Sequence, residues 1–142
     1  MKNNELIDEF IRISSYPRPS GGEAAIRNYL IESANQMGLT WKQDEAGNLA
    51  IFVPPSPGME NLPGIILQAH MDMVCVAEDE DRRTSSPQAV RVIQKDGWLS
   101  ADGTSLGADN GIGCALALCA VRDQEDRKST RLNSSYGYIS YA

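Results

Sequence analysis

The chain has 142 residues, 42% hydrophobic and 23% charged, which allows one domain with its own core and excludes disorder throughout. A formal net charge of −6 repels phosphate backbones and argues against nucleic-acid binding. No run approaches the roughly 18 apolar residues of a membrane helix, and Met1–Glu5 does not open a signal peptide, so the expectation is a cytoplasmic protein with no membrane partner.

The first element is a helix over 4–13, with Leu6, Phe10 and Ile13 on one face and Ile7 and Ile11 beside them. Ser14 to Ser20, with prolines at 17 and 19, form a stiff connection. Ser20 and Glu23 have the spacing of a capping box, which predicts a second helix over about 21–37. Gly38 stops it. The period then shifts to strands at 39–44 and 49–53, joined through Ala46-Gly47-Asn48 as a hairpin. Pro54, Pro55, Pro57 and Gly58 end that hairpin.

Residues 64–69, Gly-Ile-Ile-Leu-Gln-Ala, are apolar without alternation, which predicts an interior strand covered on both faces. The hydrophilic stretch 78–87 reads as a loop, and 90–99 as a small hairpin around Lys95-Asp96-Gly97. After the glycine-rich segment 103–111 a helix runs to about 122, with Ile112, Leu116 and Cys119 expected on one side. Helices that alternate with strands around an apolar strand argue an α/β fold, a layered sheet with flanking helices. Three cysteines without a C-x-x-C pair argue against a disulfide framework or a thiolate zinc knuckle, and Cys114 and Cys119 read as small core residues.

Residues 123–142 lose the pattern. They resemble translated adapter read-through, so the expected organisation is a unit over 1–127 and a non-native or disordered tail over 128–142 that makes few core contacts; the alternative is a native loop entering the next strand.

Chemistry concentrates at two places. The first is Gln68-Ala69-His70-Met71-Asp72-Met73-Val74, which holds the only histidine of the chain. An extended backbone puts His70 and Asp72 on one face. The imidazole suits zinc, and the carboxylate can hold its other ring nitrogen; the same pair also satisfies a buried imidazole with no metal. The second is Gly103-Thr104-Ser105-Leu106-Gly107-Ala108-Asp109-Asn110-Gly111-Ile112-Gly113. Asp109 precedes a helix, where its carboxylate either caps the helix or faces a metal. The glycines match neither a P-loop nor a G-x-G-x-x-G motif, and Asp102 is a turn residue before Gly103.

Together these two segments resemble the paired metal motifs of the M20 metallopeptidases, and Leu-Gly-Ala-Asp-Asn-Gly-Ile-Gly is most similar to the aminoacyl-histidine (Xaa-His, or cytosolic non-specific) dipeptidase branch. Phe10 to Glu23 and Asp44 to Leu49 resemble that branch too, so the likeness runs from about residue 4 to 122. It implies the N-terminal part of a zinc-peptidase catalytic domain. It implies His70 and Asp109 as metal ligands, Asp109 bridging two Zn2+ (with Mn2+ or Co2+ as alternatives), and Asp72 in the catalytic set as the partner of His70.

The implied reaction is hydrolysis of a short peptide substrate, with a homodimer as the parent's assembly. The family's Glu-Glu pair, further acidic ligand and late histidine have no match in this chain, so the chain by itself is expected to be inactive. Cys75 stands where the family often has proline. The competing readings are an N-acyl amino acid amidohydrolase of the same family and a non-catalytic truncated domain.

Overall fold

The computed structural model describes residues 3–78, 87–123 and 137–141. Helix α1 spans Asn3–Ser14 and α2 spans Ala24–Gln36. Strands β1 (Thr40–Gln43), β2 (Leu49–Val53) and β3 (Ile65–Ala69) follow. The hairpin β4 (Val92–Lys95) and β5 (Trp98–Ala101) forms a separate two-stranded sheet. Helix α3 spans Ala108–Arg122, and β6 is Gly137–Tyr141. The main sheet has the order β1-β2-β6-β3; β6 is antiparallel to β2 and parallel to β3.

The α/β layering expected from the sequence is what the chain forms. Leu49, Ile51 and Val53 alternate inward along β2 and join Phe10 and Ile13 of α1, Ile26 and Leu30 of α2, and Leu118 of α3 in one core. The three described helices therefore share one core with β2. Helix α3 packs on α1 and against β3.

Local chemistry explains the element ends. Gly38 takes φ +68°, and the amides of Gly38 and Leu39 donate back to the carbonyls of Asn35 and Ala34, at 3.0 and 2.9 Å, closing α2. The β4–β5 turn is Asp96-Gly97, both with positive φ, as a two-residue hairpin turn requires. In the β1–β2 turn the Asp44 carboxylate accepts from the side-chain amide of Asn48 at 2.7 Å and from its backbone N–H at 2.8 Å. Those bonds hold the Asp44 pKa below the ordinary carboxylate range. Because the folded-state pKa is depressed, this contribution to stability is present above the ordinary range and lost as pH falls through the depressed value. NMR is expected to show the Asn48 amide shift titrating with a midpoint below that of a free aspartate, and Asp44→Ala is expected to abolish that step.

Four expectations change. The first concerns β3, which is an edge strand and not an interior one: among the described residues it pairs with β6 alone, and Ile65, Ile66 and Leu67 are 37, 66 and 40% exposed, with Ala69 buried at its end. An unalternating apolar run reports two apolar faces; it does not report what covers them. The second concerns the tail: residues 137–141 form β6 between β2 and β3, in contact with both, while 124–136 and 142 lie outside the described residues. Tyr138, Ile139 and Tyr141 have high strand propensity, and five residues satisfy the facing main-chain groups of both neighbours.

The third concerns α2, which starts at Ala24 without a capping box: Glu23 takes the cap position without a side-chain cap bond, and its carboxylate accepts from Gly21 N–H at 2.6 Å and pairs with Arg27 at 3.7 Å. Ser20 is engaged elsewhere, as described below. The fourth concerns α3, which does not bury Ile112, Leu116 and Cys119 as one side. Gly111, Cys114, Leu118 and Val121 form the buried stripe, and Leu116 is 41% exposed. Apolar residues surround this helix, so its period leaves the buried side open. Of the 78–87 loop, residues 79–86 lie outside the described residues. No described helix is long and apolar enough to cross a membrane.

Candidate metal centre

His70 follows directly on β3, whose last residue, Ala69, is buried. Beyond it Met71 and Met73 are buried, so the alternation of an extended chain turns His70 and Asp72 to the other side. The Cys114 thiol of α3 donates to the His70 carbonyl at 3.3 Å and ties the strand end to the helix. Burial pushes that thiol up to about 12, so it stays protonated.

The second half of the site comes from the start of α3. Gly103 and Gly107 take φ +66° and +69°, turning the chain between them. Asp109 and Asn110 lie off helical geometry, with a cis peptide between them. Asn110 caps the regular helix: its Oδ1 accepts from Gly113 N–H at 3.1 Å. Asp109 is thus released from capping, and its side chain is 95% exposed.

Both carboxylates reach the one imidazole. His70 Nδ1 lies 3.0 Å from Asp72 Oδ1 and 3.1 Å from the Asp72 carbonyl oxygen. Both are acceptors, so Nδ1 carries the proton. His70 Nε2 lies 3.1 Å from Asp109 Oδ1. Asp72 is steadied in turn by Ser20, whose Oγ donates to Asp72 Oδ2 at 2.5 Å.

The electrostatics follow from these contacts. Burial lowers the His70 pKa, but hydrogen bonds to Asp109 and Asp72 outweigh it, and the net shift is upward. Asp72 is held below the ordinary carboxylate range, first by the Ser20 hydroxyl; burial opposes this, and the contact with His70 adds to the lowering. Nε2 faces the Asp109 carboxylate across the place a cation would take.

The donor types fit a divalent metal. Two ligands at Zn–N and Zn–O lengths of about 2.0–2.1 Å around a tetrahedral ion stand about 3.3 Å apart, close to the 3.1 Å between Nε2 and Oδ1. The donor number falls short: among the described residues no group of three or more His, Cys, Asp or Glu could hold a metal ion. Asp102 is outside the site and pairs with Arg91 at 3.3 Å.

Two comparisons bear on descent. Over 119 residues, 84% of this chain, the sequence is 37% identical to the cytosol non-specific dipeptidase of Escherichia coli K12, of which it covers 24%. The fold matches the crystal structure of aminoacylhistidine dipeptidase from Vibrio alginolyticus with a TM-score of 0.79 and 33% identity, over 99% of this chain and 28% of that one. The chain is an M20 dipeptidase homologue. A dinuclear metal-binding peptidase of the M20 family from Bacillus subtilis shares the fold at a TM-score of 0.59 and 16% identity, over 97% of this chain and 34% of that one. No family model matches the chain. This homologue spans about a quarter of the length of the dipeptidases it matches.

The motifs of this M20 homologue point to His70, Asp72 and Asp109, but three neighbours carry no such signal. Ser20 has the spacing of a helix cap and bonds Asp72 instead. Asn110 stands beside Asp109 with nothing in the sequence to mark it as the cap. Arg18 is fully buried against both halves of the site. Its signal, an arginine between Pro17 and Pro19, gives no indication of burial.

Proposed function

We propose that this chain forms part of a zinc-dependent dipeptidase of the cytoplasm that hydrolyses short peptides of the aminoacyl-histidine type, with His70 and Asp109 as metal ligands and Asp72 as the partner of His70. The observation that carries the reading is the convergence of two carboxylates, 2 and 39 residues away in sequence, on the single imidazole. Homology to dipeptidases supports peptide hydrolysis as the reaction. Zinc and the choice of dipeptide extend that reading.

Divalent cations, which His70 and Asp109 would help to hold, would supply an acidic water and polarise the scissile carbonyl. The chain's own residues prepare for this. Asp72 keeps the proton on Nδ1 and so leaves the Nε2 lone pair for a ligand bond. Ser20 keeps Asp72 ionised and oriented. Asp109 presents an exposed carboxylate beside Nε2, and Asn110, by taking the cap, leaves it free to do so.

The test is calorimetric titration of the 142-residue chain with zinc. One weakly bound ion is expected, with binding lost in His70→Ala and reduced about 10- to 100-fold in Asp72→Ala, as removal of a ligand's hydrogen-bond partner typically does. Zinc uptake that His70→Ala leaves unchanged would remove His70 from the site.

A further inference from the structure

Arg18 is fully buried, yet among the described residues no carboxylate accepts from it. Its Nη1 donates to the carbonyls of Met71 at 2.8 Å and Asp72 at 3.3 Å. Its Nη2 donates to the carbonyl of Gly107 at 2.6 Å. One guanidinium therefore spans the loop that carries His70 and Asp72 and the turn two residues before Asp109. Its main chain holds the same loop, since Met73 N–H donates to the Arg18 carbonyl at 2.9 Å. We propose that Arg18 is a positioning residue for the metal centre, its buried fork setting the separation between the strand-end half, His70, and the helix-start half, Asp109.

The cost of the arrangement argues that the fork matters. A buried cation without an anionic hydrogen-bond partner is unfavourable, and well-packed hydrocarbon is commonly the more stable filling. Burial lowers the Arg18 pKa, with Cys114, Cys75 and Asp72 acting the other way. Nε has no hydrogen-bond partner among the described residues. Hydrocarbon cannot grip two separate loops by their carbonyls, and a planar fork can.

The surroundings are shaped to the fork. A Cβ at Gly107 would lie 2.7 Å from Nη2, and one at Gly111 would lie 2.5 Å from it. Glycine at both positions leaves the room the guanidinium needs. Lysine at position 18 would keep the charge as a compact ammonium and lose the planar fork that reaches both loops.

The proposal rests on the metal reading of His70 and Asp109, and its test separates the two. The chain has one histidine, so its ring protons are identified without ambiguity. In metal-free Arg18→Lys, the nuclear Overhauser contact between the His70 ring and the Asp109 β-protons is expected to be lost, while amide protection in the β1–β2 hairpin stays at the wild-type level. Zinc affinity is expected to fall about 10- to 100-fold, the range seen when supporting partners of ligands are removed. A folded Arg18→Lys that keeps the contact at full intensity overturns the proposal.

Wild-type chain that takes up no zinc ends the metal reading, and the contact then decides the role of Arg18 by itself. Should Arg18→Lys fail to fold, the wild-type guanidinium decides, with Arg91, whose side chain is 80% exposed, as internal reference. Separate, slowly exchanging Arg18 Nη protons are expected. Exchange as fast as at Arg91 overturns the proposal.

Discussion

Mixed with zinc or manganese and an aminoacyl-histidine dipeptide, the 142-residue chain is expected to show no turnover. A catalytic zinc typically has about three protein ligands and a water. The described residues contribute His70 Nε2 and Asp109, while Asp72 is occupied with the Nδ1 proton. A positioned general base typically contributes a further 100- to 10,000-fold, about 3–5 kcal/mol of barrier, and the family's glutamate base has no match in this chain. The assay is dipeptide hydrolysis followed by release of free histidine, with His70→Ala alongside. Turnover by the wild-type chain that disappears in His70→Ala would show the site to be sufficient as it stands and would refute the expectation.

Phe10→Ala is expected to destabilise the fold by about 3–5 kcal/mol, the range for emptying a buried aromatic site. Phe10 is 1% exposed on α1 and belongs to the core shared by the three described helices and β2. Its ring also lies against the start of α3: a Cβ at Gly111 would come within 3.1 Å of Phe10 Cε2. The cavity would therefore open beside the helix start that carries Asp109. Typical domain stabilities are about 5–15 kcal/mol, so the loss is a large share of the whole. Urea denaturation followed by circular dichroism measures it. Ile11→Ala, one residue along and 39% exposed, is the control, expected to change stability by about 0.5 kcal/mol or a little more. Equal losses in the two variants would place α1 differently on the core.

Much of the site was legible because its signals are local. Two residues apart on an extended chain share a face whatever surrounds them, so His70 and Asp72 could be paired from spacing alone. The period of α1, the glycine stop at 38 and the Asp96-Gly97 turn are likewise short-range effects of sterics and main-chain hydrogen bonding. The meeting of Asp109 with His70 depended on the resemblance of two motifs, since 39 residues separate them.

Other features had no local signature. The buried side of α3 was misread because small apolar residues surround it, and only its neighbours select Gly111, Cys114, Leu118 and Val121. The hydroxyl of Ser20 satisfies the spacing rule of a helix cap, yet it serves Asp72 because the 18–20 segment crosses the loop after β3. The exposure of Ile66 and the place of residues 137–141 between β2 and β3 were set by which strands pair, a long-range choice that a run of five residues does not encode. The sequence by itself determined the elements from α1 to α3, the stop at Gly38, the Asp96-Gly97 turn and the identity of the groups at the site, because those depend on propensity, turn chemistry and side-chain type. Only the tertiary structure decided which faces are buried, which strand stands at the edge, and that a buried Arg18 joins the two halves of the site, because each of these depends on contacts between segments 50 or more residues apart.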